Sequence, residues 1–440
     1  MSAHALTVGI LTLGCKVNQY ESEAISEAFL SRGYRVLPFT ENCDAYVINT
    51  CTVTAESDRK CRQMIRRAIH RNPSAYILVT GCLGQTDPNQ LASIKGVDYI
   101  CGNAQKLSVV DAADALFKQG CKNAVPKILH TAPEAHGFEP MCISDFDRTR
   151  VYIKIQDGCE NHCAYCIIPK ARGKIRSKAP QDVIDEVRAF TLKGCPEIVL
   201  TGIETASYGR DLSDCTLADL LCQVDRIPGI GQVRLGSLDP SLIKQPFVDR
   251  IAPLSCLAPH FHLSMQSGSD SVLARMRRKY NTRMALEAMN RLRAALPDVQ
   301  FTTDMIAGFP GETEEEFEQT LDFIRQARFL MIHAFPYSRR SGTEADSMPN
   351  QVDEGIKHDR VRRIMEIQSK IQAEILEAHV GKTCSVLFET YENGVAVGHT
   401  PNFIEVTCKT DVPLRSDARR VRIVNVCDGK CIGELVDTKQ

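Results

Sequence analysis

Three times in the first 82 residues, an apolar strand-like run ends on a cysteine. Val8-Gly9-Ile10-Leu11-Thr12-Leu13 leads to Gly14-Cys15, Ala45-Tyr46-Val47-Ile48-Asn49-Thr50 to Cys51, and Tyr76-Ile77-Leu78-Val79-Thr80 to Gly81-Cys82. Helical patterns follow the first two runs, over 21–31 and from about 57 to 71. Strands alternating with helices build a parallel sheet covered on its faces, so this stretch predicts an open α/β domain. Such sheets hold ligands just past the C-terminal ends of their strands. Cys15, Cys51 and Cys82 all fall on that edge; the plain alternative is three buried structural thiols.

A Pro- and Gly-containing stretch, 131–141, reads as a linker. Beyond it the rhythm resumes, with candidate strands at 151–155, 197–201, 232–235, 261–265, 300–306 and 331–336. Helical patterns such as 181–192 and 313–327 lie between them, the latter opened by the capping box Thr313-Glu314-Glu315-Glu316. Six such units predict a partial (β/α)6 barrel whose site sits at the strand C-termini. An amphipathic helix over 356–379 leads to short β-like runs at 384–388, 395–398, 403–407 and 421–426, a small all-β module. The expected domains are therefore 1–140, 145–375 and 376–440.

Directly after the first barrel strand stands Cys159-Glu-Asn-His-Cys163-Ala-Tyr-Cys166, a C-x3-C-x2-C spacing. Soft thiolates select zinc or iron–sulfur clusters. A structural zinc needs four ligands, and His162 as the fourth would require a strained turn beside Cys163. Three thiolates on a four-iron cluster instead leave one iron open for a cofactor. The chain has 19 Cys and no sign of a secreted disulfide framework. The other thirteen, Cys43, Cys61, Cys101, Cys121, Cys142, Cys195, Cys215, Cys222, Cys256, Cys384, Cys408, Cys427 and Cys431, are expected to be small buried hydrophobes. No apolar run approaches membrane-spanning length and no basic start precedes the first apolar run, so a cytoplasmic enzyme is expected.

The segment 159–166 resembles the radical S-adenosylmethionine superfamily. The resemblance extends over nearly the whole chain to its methylthiotransferase family, through Gly14-Cys15-Lys16-Val17-Asn18, Asn49-Thr50-Cys51-Thr52-Val53, Thr80-Gly81-Cys82, Gln266-Ser267-Gly268-Ser269 and Gly308-Phe309-Pro310-Gly311-Glu312-Thr313. The tail 394–406 resembles a TRAM module. By this resemblance Cys159, Cys163 and Cys166 bind the 4Fe-4S cluster that cleaves S-adenosylmethionine, and Cys15, Cys51 and Cys82 bind an auxiliary one. It implies a deoxyadenosyl radical that takes hydrogen from C2 of a modified adenine, and sulfur delivered from the auxiliary side. Tyr165 in the motif, Glu204, Gln266 and Asp304 at strand ends, and Gly308 just beyond are the expected cofactor contacts.

Three family branches differ in substrate. Thr12-Leu13-Gly14-Cys15-Lys16-Val17-Asn18-Gln19-Tyr20-Glu21, Cys51-Thr52-Val53-Thr54 and Lys154-Ile155-Gln156-Asp157-Gly158-Cys159 resemble the one acting on threonylcarbamoyladenosine beside the tRNA anticodon. The alternatives are isopentenyladenosine in tRNA, an aspartate of a ribosomal protein, or a non-catalytic iron–sulfur protein that binds tRNA. An electron donor such as flavodoxin or ferredoxin is implied.

The formal net charge is -1, so RNA must be met by local basic patches. Two are expected to grip phosphates: Arg59, Lys60, Arg62, Arg66, Arg67 and Arg71, and the run Arg148, Arg150, Lys154, Lys170, Arg172, Lys174, Arg176 and Lys178. Arg172 and Arg176 are candidates to pair a substrate carboxylate.

Overall fold

The computed structural model describes residues 5–135, 137–146 and 149–436. Its contacts divide the chain into two compact units. The first comprises 1–144, 154–178 and 338–346; the second comprises 145–153, 179–337 and 347–440.

The first unit is built on a parallel sheet of β1 (Thr7–Thr12), β2 (Arg35–Leu37), β3 (Ala45–Thr50), β4 (Tyr76–Gly81), β5 (Tyr99–Cys101) and β6 (Lys127–Leu129). Their order is β2-β1-β3-β4-β5-β6. Alternation along the strands feeds two cores. Tyr46, Ile48, Ile77 and Val79 pack with Cys61 and Ile65 of helix Ala55–Arg71. Val8, Ala45, Val47 and Leu78 pack on the opposite face with Ile25 and Phe29 of helix Lys16–Ser31 and with Val109 and Ala113 of helix Ser108–Gln119. Strand order reverses between β1 and β3, the switch point at which doubly wound sheets open a crevice. Cys15 and Cys51 follow those two strands. The linker expected over 131–141 is anchored at its end: Met141 is buried, and its carbonyl accepts from Tyr20 and Lys178.

Strand β7 (Arg150–Asp157) crosses from one unit to the other. Its last residues pair antiparallel with β8 (Arg176–Ser177) in the first unit. In the second unit follow β9 (Glu197–Gly202), β10 (Gln232–Leu235), β11 (His260–Gln266), β12 (Gln300–Ala307) and β13 (Met331–Pro336). They form one sheet of order β10-β9-β7-β8 and another of order β11-β12-β13, joined by parallel bridges Val233–Leu257 and Leu238–Leu263. All six expected barrel strands are present in chain order, with β9 parallel to β10 and with β11, β12 and β13 parallel to one another. The Thr313 capping box forms with Glu316 as both sequence and physics require.

After helix Glu354–Glu377 the chain closes a small barrel of β14 (Thr383–Glu392), β15 (Val395–His399), β16 (Glu405–Lys409), β17 (Ala418–Cys427) and β18 (Lys430–Leu435). Closure leaves no open strand edge, as a TRAM-like module requires. Within this unit the barrel is tied to the strand sheet by ions. Arg150 pairs with Glu197 and, at 2.6 Å, with Glu389, which also receives His399 at 2.5 Å. Against the upward push of burial, the His399 ring and the Arg150 guanidinium hold the Glu389 carboxyl at about 2, below the ordinary 4.5. A carboxyl lowered on folding stabilises the fold above its unfolded pKa and loses that contribution as pH falls through the folded value. Glu389→Gln is expected to cost on the order of 3 kcal/mol near neutral pH. The deficit should shrink as pH falls from 4.5 towards 2 in urea unfolding. A deficit that stays constant over that range would rule this pairing out as its source.

Candidate metal centre

In the first unit, adjacent strands β1, β3 and β4 deliver Cys15, Cys51 and Cys82 to one edge. Polar side chains at the strand ends lace the three loops together. Asn18 donates to the Leu13 carbonyl at 2.8 Å and to the Thr50 carbonyl at 3.0 Å, so it clamps the chain beside Cys15 to the chain beside Cys51. Thr50 donates to the Thr80 carbonyl at 2.6 Å and accepts from the Leu83 amide, which ties Cys51 to the Cys82 turn. Gly14 is left-handed at φ +101°, and a Cβ there would lie 2.6 Å from the Cys51 Cβ and 2.8 Å from its Sγ. Only glycine permits that approach.

Cys51 and Cys82 are buried, whereas Cys15 is exposed as a residue. Burial pushes the Cys51 thiol up to about 11, with Cys82 and Cys15 adding to the rise. Cys15 is likewise raised, by burial first, eased by Arg172 and reinforced by Cys82. The neighbouring thiols thus disfavour ionisation of Cys51 and Cys15, which places the three close together, and a cation bound among them would reverse that balance.

Below the thiols lies a network of buried ions. Glu21 receives Lys106, Lys154 at 2.8 Å and Arg172 at 2.9 Å; Asp157 receives Lys154 at 2.6 Å and Arg172 at 2.9 Å. Their side chains are at most 3% exposed. Burial pushes both carboxyls up, but Arg172 and the lysines outweigh it and hold them well below the usual range. Arg172 also donates to Asn18 Oδ1 at 2.6 Å.

This corrects two expectations. Arg172 is sealed among internal partners, and Arg176 is largely buried 3.5 Å from Asp157, so neither is placed to take a substrate carboxylate. The basic run from 148 to 178 is no phosphate patch either. Lys154, Arg172, Arg176 and Lys178 are buried, Arg150 is paired with two glutamates, and Lys170 donates to the Gly342 carbonyl. Lys174 is exposed, and Arg148 lies outside the described residues. On helix Ala55–Arg71, by contrast, Lys60, Arg66 and Arg67 are exposed. Arg59 is paired with Glu56, Arg62 donates to Gln90, and Arg71 donates to the Phe39 carbonyl.

The loop of Cys159, Cys163 and Cys166 belongs to this same unit, and all three are half-buried, as is Tyr165. Its entry is fixed by Gly158, left-handed at φ +73°, where a Cβ would fall 1.9 Å from the Lys174 carbonyl. The Cys159 amide donates to Gly173 and the Cys166 amide to Cys163. His162 is exposed in a left-handed turn at φ 49°. Among the described residues no three His, Cys, Asp or Glu side chains converge on a single ion. A four-iron cluster spreads its thiolates over different irons, and two all-thiol triads suit that soft, wider arrangement better than zinc.

In the second unit Glu204 follows β9, and burial, then the Asp239 charge, pushes its carboxyl up to about 7. Gln266 ends β11 in a left-handed conformation at φ 68°. Asp304 on β12 lies 3.3 Å from His262. The Gly308 amide donates to Glu312 at 2.6 Å, and a Cβ there would meet Lys357 at 2.4 Å, so the turn itself demands the glycine. Sequence reading missed the roles of Asn18, Glu21 and Lys106; Asn18 and Glu21 lay within the stretch 12–21, but a polar side chain shows no partner until the fold is known. Cys121, Cys142 and Cys427, expected inside, are exposed.

Residues 153–324 match the Radical SAM superfamily, and residues 7–102 match the family described as Uncharacterized protein family UPF0004. The threonylcarbamoyladenosine tRNA methylthiotransferase MtaB of Bacillus subtilis is 40% identical over 95% of this chain and 94% of its own. The tRNA-2-methylthio-N(6)-dimethylallyladenosine synthase of Thermoanaerobacter pseudethanolicus is 35% identical over 86% of this chain and 81% of its own. Among solved structures, the radical S-adenosylmethionine methyltransferase TsrM of Kitasatospora setae shares the fold at a TM-score of 0.56 and 15% identity, over 78% of this chain and 74% of that one. With such identity to MtaB across nearly the full length, and with the strand-end and loop cysteine triads in place, the chain belongs to the radical S-adenosylmethionine methylthiotransferase family.

Proposed function

We propose that this enzyme methylthiolates C2 of N6-threonylcarbamoyladenosine next to the tRNA anticodon, using two 4Fe-4S clusters and S-adenosylmethionine. The observation that carries the reading is the presence of two all-cysteine triads in one compact unit, Cys15, Cys51 and Cys82 for the auxiliary cluster and Cys159, Cys163 and Cys166 for the other. When bound, the clusters supply the electron that splits the cofactor and the sulfur-bearing side of the reaction. Within the second unit, Glu204, Gln266 and Asp304 are assigned to the cofactor's polar groups, and Gly308 shapes the turn beyond β12; within the first unit, Tyr165 is assigned as the cofactor contact of its own cysteine loop. We assign the auxiliary domain to 1–140, the radical core to 145–375 and the TRAM domain to 376–440. Exposed Lys60, Arg66 and Arg67 favour contact with tRNA phosphates. No described helix is long and apolar enough to span a membrane, in keeping with a cytoplasmic enzyme fed by a flavodoxin or ferredoxin.

The substrate assignment is supported by the relatives named for threonylcarbamoyladenosine, at 35–40% identity, against 34–35% for those named for dimethylallyladenosine. A threonylcarbamoyl group carries a carboxylate, whereas isopentenyl is neutral and apolar. A site built to pair a carboxylate rejects the neutral analogue strongly, because its own polar group is left unmatched. The reconstituted enzyme is expected to convert tRNA carrying threonylcarbamoyladenosine to its 2-methylthio form and to leave isopentenyladenosine tRNA untouched, read by nucleoside mass spectrometry. Equal turnover of both would overturn the substrate assignment; absence of 5′-deoxyadenosine would leave only a binding protein.

A further inference from the structure

Arg172 is the largest fully buried residue among the described residues, and its guanidinium is not fully satisfied by protein. Nη1 donates to Glu21 and Asp157, both at 2.9 Å; Nη2 donates to Asn18 at 2.6 Å and Glu21 at 3.1 Å. The remaining donor, Nε–H, is buried without an acceptor. A buried charged donor left unmade is costly, and at Arg172, whose side chain is 0% exposed, no solvent can offset it.

The Arg172 side chain lies beside the auxiliary thiol edge. Asn18 Oδ1 stands between the two groups, 2.6 Å from Arg172 Nη2 and 3.9 Å from Cys15 Sγ. The short helix Ile168–Arg172 packs on Cys82–Thr86, whose first residue is the third thiol of the set. Charge points the same way. Within the network Lys106, Lys154 and Arg172 face Glu21 and Asp157, so one buried positive charge is in excess; Arg176 adds to it at the edge, and half-buried Glu139 lies beyond Lys154. A thiolate-ligated cluster is anionic, and hydrogen bonds and charge at its sulfurs set its potential.

Resting on the assignment of Cys15, Cys51 and Cys82 as cluster ligands, we propose that Arg172 is the electrostatic partner of the auxiliary cluster. Its unsatisfied Nε–H donates to a cluster sulfur, and its charge favours the reduced state. Arg172 lies six residues beyond Cys166, so the loop that carries one triad also carries the cation that tunes the other.

The test uses full-length protein with Cys159, Cys163 and Cys166 replaced by alanine, so that only the auxiliary cluster forms. It is reconstituted with iron and sulfide and labelled with nitrogen-15 at arginine Nε. Pulsed EPR of the reduced protein is expected to show a nitrogen-15 coupling that is absent when Arg172→Lys is added. In EPR-monitored redox titration, Arg172→Gln is expected to disfavour the reduced state about tenfold, a fall of about 59 mV for one electron. Arg172→Lys, which retains the charge, should shift it less. A protein that holds roughly four irons yet shows neither coupling nor a shifted potential overturns the role of Arg172 and leaves the cluster assignment standing. A protein that takes up no iron overturns the assignment itself. Should Arg172→Gln fail to fold, the coupling in the unsubstituted parent still decides.

Discussion

If, as proposed, each triad holds its own cluster, enzyme in which Cys159, Cys163 and Cys166 are alanine is expected to form no 5′-deoxyadenosine and to hold about half the iron of the parent. The complementary change, Cys15, Cys51 and Cys82 to alanine, should also halve the iron but let cofactor cleavage survive while methylthiolation disappears. The pair of results separates radical generation from sulfur delivery. The two triads sit in one unit on different scaffolds, one set on strand ends and the other on a loop pinned by Gly158. Loss of one should therefore leave the other's thiols in place. If the loop variant still cleaves the cofactor, or if the strand-end variant keeps its full iron, the corresponding triad is only a set of thiols.

Glu21→Ala should be among the most destabilising single changes in the first unit. It strips one carboxylate from Lys106, Lys154 and Arg172, all at most 3% exposed at the side chain, and leaves Asp157 alone to balance them. Breaking a buried pair by removing one partner typically costs about 3–5 kcal/mol, because the other charge stays behind without water. Urea unfolding of the protein should show a loss of that order. Because opposing charges hold the Glu21 carboxyl far below its ordinary pKa, wild type keeps this contribution across neutral pH and surrenders it only in strong acid. A loss under about 1 kcal/mol would mean that water reaches the network, as it does for exposed pairs.

Most of the scaffold was legible because it is periodic. Ala45–Thr50 is buried along its whole length and reads as a strand in the middle of a parallel sheet, and that is where it lies. Three-residue strands β2, β5 and β6 were not legible, since so few positions cannot display a period. The last strand of the small barrel, Lys430–Leu435, escaped for a related reason: Gly433 and a charged start interrupt its pattern. The basic run around Arg172 failed differently. Its neighbours in sequence offered only Asp157 and Glu160, whereas its partners Glu21, Glu197 and Glu389 lie far along the chain. Charge counted locally measures composition, and pairing is decided by the fold. The cysteine triads could be singled out in the sequence because a thiol's chemistry belongs to the residue itself; Asn18 could not, because its hydrogen bonds exist only between two loops.

The first unit is assembled from three separated stretches, and this dictates an order of events during synthesis. Glu21 emerges 151 residues before Arg172, an interval of roughly 8–30 s at ordinary elongation rates. Through most of that interval the sheet around β1, β3 and β4 can form while its buried carboxylate has no partner but Lys106, with Lys154 following shortly before Arg172. The strap 338–346 comes later still, and with it Arg340, which grips Asp58 and Thr52 next to Cys51. The nascent N-terminal domain thus waits, incomplete and open at the thiol edge, until most of the polypeptide has been translated.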